Sequence, residues 1–85
     1  MQIHVYDTYV AAKAGHTMHF DVFTAVQDDQ KAIAYAKQWL ASIGEGDAVV
    51  SSEECRFCHS QSAPDHVVAA INQHGYFIYK MEGCE

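Results

Sequence analysis

The segments QIHVYDTYV (residues 2–10) and HTMHFDVFT (residues 16–24), with Ala11-Ala12-Lys13-Ala14-Gly15 between them, decide how the chain is read. Both are rich in β-branched and aromatic side chains, and Gly15 supplies the positive φ that a tight reversal needs, so they read as a β-hairpin. On the first strand Ile3, Val5, Asp7 and Tyr9 fall on one face, and His4, Tyr6, Thr8 and Val10 on the other. On the second, Met18, Phe20 and Val22 share the cleaner apolar face. Apolar residues on both faces imply a sheet at least partly covered on both sides.

Downstream of the hairpin, Asp28 or Asp29 is placed to cap a helix and to put negative charge at its N-terminus. Ala32, Tyr35, Ala36, Trp39, Leu40 and Ile43 then recur at helical spacing, with Ile33 at the margin of the stripe. Lys31, Ala34, Lys37, Gln38 and Ser42 lie opposite, and Gly44 stands where a helix ends. Ala48-Val49-Val50-Ser51 reads as a short strand. Ser62-Ala63-Pro64-Asp65 reads as the start of a second helix, with Ser62 as its cap. Val67, Val68, Ala70 and Ile71 form the apolar side of that helix, and Gly75 stops it. Tyr76-Phe77-Ile78-Tyr79-Lys80-Met81 is the last strand. The order β-β-α-β-α-β predicts an α+β domain, an N-terminal hairpin plus two helices packed on a small mixed sheet. Strand order and the faces taken by the helices stay open.

With 85 residues the chain forms one domain, 1–85, and a chain of this size buries only somewhat more than ~60% of the surface its unfolded form exposes. A metal or a partner subunit is the usual aid to so small a core. A hydrophobic fraction of 49% argues against disorder, and a net charge of −6 with scattered basic residues argues against nucleic-acid binding. No apolar run approaches the ~20 residues of a membrane span. Met1-Gln2-Ile3-His4-Val5 has neither the positive region nor the apolar run of a signal peptide. A cytoplasmic location with reduced thiols is therefore expected, with no membrane contact. A weak homodimer through the two-sided apolar last strand is also expected.

The densest chemistry lies in Glu53-Glu54-Cys55-Arg56-Phe57-Cys58-His59-Ser60. A C-x-x-C spacing serves a metal ion or a dithiol pair, and His59 extends it to the C-x-x-C-H of c-type haem attachment. No haem is expected, because covalent attachment requires export. Glu53 and Glu54 favour a divalent cation and disfavour a bare thiolate. The leading functional reading is a metal-binding domain for zinc or iron. Against it stand two cysteines that merely share a loop, a thiol-redox protein with Cys55 as the nucleophile, and a protein–protein module without chemistry. If strands 48–51 and 76–81 run parallel through a right-handed crossover, Cys84 ends on the same sheet edge as Cys55. The expected metal ligands are then Cys55, Cys58 and Cys84, with His59 or water as the fourth.

A second constellation depends on hairpin register. With Lys13-Ala14-Gly15 as a three-residue turn, Val10 faces Met18, Tyr9 faces His19 and Asp7 faces Asp21. Asp7, Tyr9, His19 and Asp21 would share one face, and two opposed carboxylates repel unless a proton or cation lies between them. The plainer readings are a solvated polar face, or a two-residue turn that changes the pairing and dissolves the cluster.

Taken together, His4-Val5-Tyr6-Asp7-Thr8-Tyr9-Val10, Gly15-His16, Met18-His19-Phe20-Asp21-Val22, Glu54-Cys55-Arg56-Phe57-Cys58-His59-Ser60 and Gly75-Tyr76-Phe77-Ile78-Tyr79-Lys80-Met81-Glu82-Gly83-Cys84 resemble a small bacterial family catalogued only as a domain of unknown function. The resemblance runs essentially end to end. It implies a compact α/β-type bacterial protein and carries over no activity, cofactor or catalytic residue.

Overall fold

A computed structural model describes residues 1–82. The elements follow the expected order: β1 (Gln2–Ala11), β2 (Thr17–Thr24), α1 (Asp29–Ser42), β3 (Cys55–Ser62), α2 (Asp65–His74) and β4 (Tyr76–Lys80). The four strands form one sheet in the order β3-β1-β2-β4, and every pairing is antiparallel.

The hairpin closes on the three-residue turn. The Ala12 N–H donates to the His16 carbonyl at 2.9 Å, and Gly15 adopts φ 95°. This sets Val10 against Met18, Tyr9 against His19 and Asp7 against Asp21. Side-chain alternation then splits β1 and β2 between two cores. Tyr6, Val10, Met18, Phe20 and Val22 pack under Ala32, Ile33, Ala36 and Leu40 of α1. Ile3, Val5 and Phe23 pack under Val67 and Ile71 of α2. The helices therefore lie on opposite faces of the sheet, which is why neither face of the hairpin reads as polar throughout.

Both helices have local reasons to start and stop where they do. Asp28 Oδ1 accepts from the Gln30 N–H at 3.0 Å and the Lys31 N–H at 3.3 Å, capping α1. Tyr35 and Trp39 of the predicted stripe are only half-buried, at the rim of the core, where Trp39 packs on Phe20 and Tyr35 stacks on Tyr76. α2 starts at Pro64 without a side-chain cap, so Ser62 is not the cap but the last residue of β3. It ends at Gly75, whose φ of 90° and N–H bond to the Ile71 carbonyl form a left-handed stop.

Two expectations fail together. Residues 48–51 are not a strand; they lie in a turn-rich connection from which Val50 alone is buried, against the α1 core. The third strand is instead the cysteine stretch itself, which had read as a loop. It is an edge strand with mostly exposed side chains, so it lacks the apolar alternation by which strands are recognised. It carries a bulge as well: Phe57 pairs with Tyr6 and His59 with Val5, leaving Cys58 as the extra residue. β3 and β4 occupy opposite edges and run in opposite directions. No parallel pair exists among the described strands, and the argument that brought Cys84 beside Cys55 loses its basis. Cys84 itself lies outside the described residues.

Candidate metal centre

α2 covers only one end of its face of the sheet. Beyond Ile3, Val5 and Phe23, the same face continues as Asp7 and Tyr9 on β1 and His19 and Asp21 on β2, with no helix above them. Sheet alternation sends these four side chains to one side, and the three-residue turn brings them into register. The polar cluster thus follows from backbone geometry fixed at the hairpin turn.

The donor atoms of Asp7, His19 and Asp21 lie within 4.8 Å of one another. His19 Nε2 donates to Asp7 Oδ1 at 2.5 Å. Tyr9, the cross-strand partner of His19, stacks on its ring with centroids 4.0 Å apart and planes 11° from parallel, which restricts the imidazole's rotation. Asp21 is only 9% exposed. Burial pushes its carboxyl up to about 6, the hydrogen bond and negative charge of Asp7 push the same way, and His19 and His59 oppose them. Below about pH 6 Asp21 keeps its proton beside Asp7, since two facing anions cannot both be desolvated cheaply. The Tyr9 phenol is also raised, by desolvation first and then by Asp7, Glu82 and Asp21. Local potential at this end of the face is negative, as a cation would require. Arg56, paired with Asp7 on β3, does not offset it by an ion pair: its Nε donates to the Glu53 carbonyl at 3.2 Å.

The residues expected to bind metal are distributed differently. Cys55 is 2% exposed, faces the α1 core and accepts a long 3.5 Å contact from Thr8 Oγ1. Burial pushes its thiol up; Thr8 opposes the shift and Asp29 adds to it. That environment suits a packed thiol and not a nucleophile. Cys58 projects from the bulge and is exposed. His59 Nε2 donates to Gln61 Oε1 at 2.7 Å, so its Nδ1 accepts the Cys58 thiol proton across 3.3 Å. The C-x-x-C spacing assumed a loop that folds two sulfurs toward one point. An extended strand sends one inward and leaves the other on the surface. Among the described residues, the group of three potential ligands drawn together is Asp7, His19 and Asp21. The signal for it was the hairpin register, which the sequence carries but does not by itself choose.

Among the described residues, no helix is long and apolar enough to cross a membrane. Comparison with known proteins gives one family and one solved structure. The model of the domain of unknown function DUF2024 matches residues 1–81, and the chain belongs to this family. Its fold is that of the NMR structure of protein NE1680 from Nitrosomonas europaea, a Northeast Structural Genomics Consortium target. The two are 75% identical over 100% of both chains, with a TM-score of 0.91. No curated protein matches the chain.

Proposed function

We propose that this member of a family of unknown function is a small divalent-metal-binding domain, with Asp7, His19 and Asp21 as its protein ligands. The observation that carries the reading is the convergence of two carboxylates and an imidazole within 4.8 Å on a part of the sheet face that no described helix covers. Two oxygens and one nitrogen suit zinc, manganese or ferrous iron and not a thiophilic ion. Around an ion bound at ~2.0–2.1 Å, neighbouring ligand atoms sit about 3.3 Å apart. The widest separation, 4.8 Å at most, therefore has to close by up to about 1.5 Å, while His19 Nε2 and Asp7 Oδ1, 2.5 Å apart, have to open, both within reach of side-chain rotation on the hairpin. At pH 7.5, above the value of about 6 to which Asp21 is raised, a dication would remove the repulsion between the two carboxylates, and it would take the place of the His19 Nε2 proton that Asp7 accepts. Three ligands from one flat face leave the outward coordination positions to water or to a substrate atom.

The test is calorimetric titration of tag-free protein with zinc and with manganese at pH 7.5, for the parent chain, Asp21→Asn and Cys58→Ser. About one equivalent is expected to bind, at least tenfold more weakly in Asp21→Asn and unchanged in Cys58→Ser. Loss of binding in Cys58→Ser with retention in Asp21→Asn would return the site to the cysteines. Absence of binding at millimolar metal would end the proposal.

A further inference from the structure

A sheet open at both sides has two edges, and this one guards them unequally. β3 carries a bulge at Cys58 and largely polar, exposed side chains, both of which discourage a further strand. β4 has neither device. It pairs with β2 without a register shift, contains no proline, and reads Tyr76-Phe77-Ile78-Tyr79-Lys80. A groove of about 310 Å³ wraps this edge, lined by Trp39 of α1, Ala70 and His74 of α2, and Tyr76, Ile78 and Lys80 of β4 itself.

The direction of the β4 backbone groups follows from the bonds at its end. The His19 N–H donates to the Glu82 carbonyl at 2.8 Å and the Met81 N–H to the His19 carbonyl at 3.0 Å. His19 therefore bonds toward β4, and by alternation so do Asp21 and Phe23, whose partners are Tyr79 and Phe77. The N–H and C=O groups of Tyr76, Ile78 and Lys80 then point away from the sheet, into the groove.

We propose that the β4 edge is a docking surface for a second copy of this chain, joined antiparallel about a two-fold axis at Ile78. That register sets Ile78 against Ile78 of the other copy and Tyr76 against Lys80. Each of these pairs exchanges both of its backbone bonds, so all the outward-facing groups of the strand are satisfied at once. On the α2 face Phe77 meets Tyr79 of the other copy, an aromatic cross-strand pair. On the α1 face the Lys80 ammonium comes over Tyr76, whose ring already stacks on Tyr35 at 5.0 Å, a cation–π arrangement made twice by symmetry. This match of a cation to the aromatic at the opposite end of one short strand is what selects a second copy over an unrelated strand. The dimer is an eight-stranded sheet with both Asp7–His19–Asp21 clusters on the same side.

Sedimentation equilibrium of the full chain, from about 20 µM to about 1 mM, reads even weak association. The parent chain is expected to show a reversible monomer–dimer equilibrium. Ile78→Pro deletes an N–H that points away from β2 and takes no part in the described sheet, so the amide spectrum should keep its dispersion while the dimer dissociation constant rises at least about tenfold. If that proline unfolds the domain, Lys80→Glu carries the test: it should weaken the dimer several-fold more than Lys13→Glu, an equal charge change at the hairpin turn. A parent chain monomeric throughout the range overturns the proposal. So does a dimer unaffected by folded Ile78→Pro, or one weakened equally by the two lysine variants.

Discussion

Asp21→Asn should make the metal-free protein more stable at neutral pH, although it alters a nearly buried polar side chain. In the folded chain the Asp21 carboxyl is held at about 6 instead of the ordinary 3.8, because it is buried beside Asp7. Between about pH 4 and pH 6 the folded chain holds a proton that the unfolded chain has released, so stability falls as pH rises through that window. A displacement of about two pH units corresponds to a ceiling of about 3 kcal/mol. Solvent at the open side of the cluster and the opposing pull of His19 and His59 reduce this to about 1–2 kcal/mol. Asparagine keeps the shape of the protonated acid and can donate to Asp7 as that acid does. The variant should therefore match the parent near pH 4 and exceed it by about 1–2 kcal/mol at pH 8, or roughly 5–15 °C in Tm for a domain of this size. Urea denaturation of both proteins from pH 4 to pH 8, with chelator present, measures the difference as a function of pH. Equal or lower stability of the variant at pH 8 would refute the reasoning, since it would mean that ionised Asp21 is well accommodated. A site that costs stability when empty and gains it when filled is the pattern expected of a binding centre.

The two cysteines should behave unlike a ligand pair. Cys55→Ser places a hydroxyl in the α1 core and should cost about 1–3 kcal/mol in denaturation, whereas Cys58→Ser should stay within about 0.5 kcal/mol. A shared structural metal would make both substitutions costly. Gly75→Ala forces a side chain onto a φ of 90° and sets its Cβ 3.2 Å from the Tyr35 hydroxyl. A loss of about 1–2 kcal/mol should follow in the same assay, while an unchanged midpoint would mean that α2 ends without needing that conformation.

What the sequence determined alone is what local chemistry dictates. Gly15 and the alternation on either side of it specify the hairpin, and Asp28 with the stripe from Ala32 to Leu40 specifies α1. Gly75 ends α2 and admits β4. These signals act over a few residues, so no partner elsewhere in the chain is needed to interpret them. Tertiary structure decided the rest. Cys55–Ser62 becomes a strand because the free edge of β1 offers it a ladder, and an edge strand with a solvated surface leaves no periodic pattern to find. The same pairing separates β3 from β4, buries Cys55 and exposes Cys58, so the two thiols that spacing had put together part. Asp7, His19 and Asp21 were visible as a cluster once a register was chosen. That α2 stops short of them, so that no described helix packs on the two carboxylates and the imidazole, depended on where a helix from the other end of the chain came to rest. Helix placement reflects the summed burial of distant side chains, and no window of sequence contains that sum.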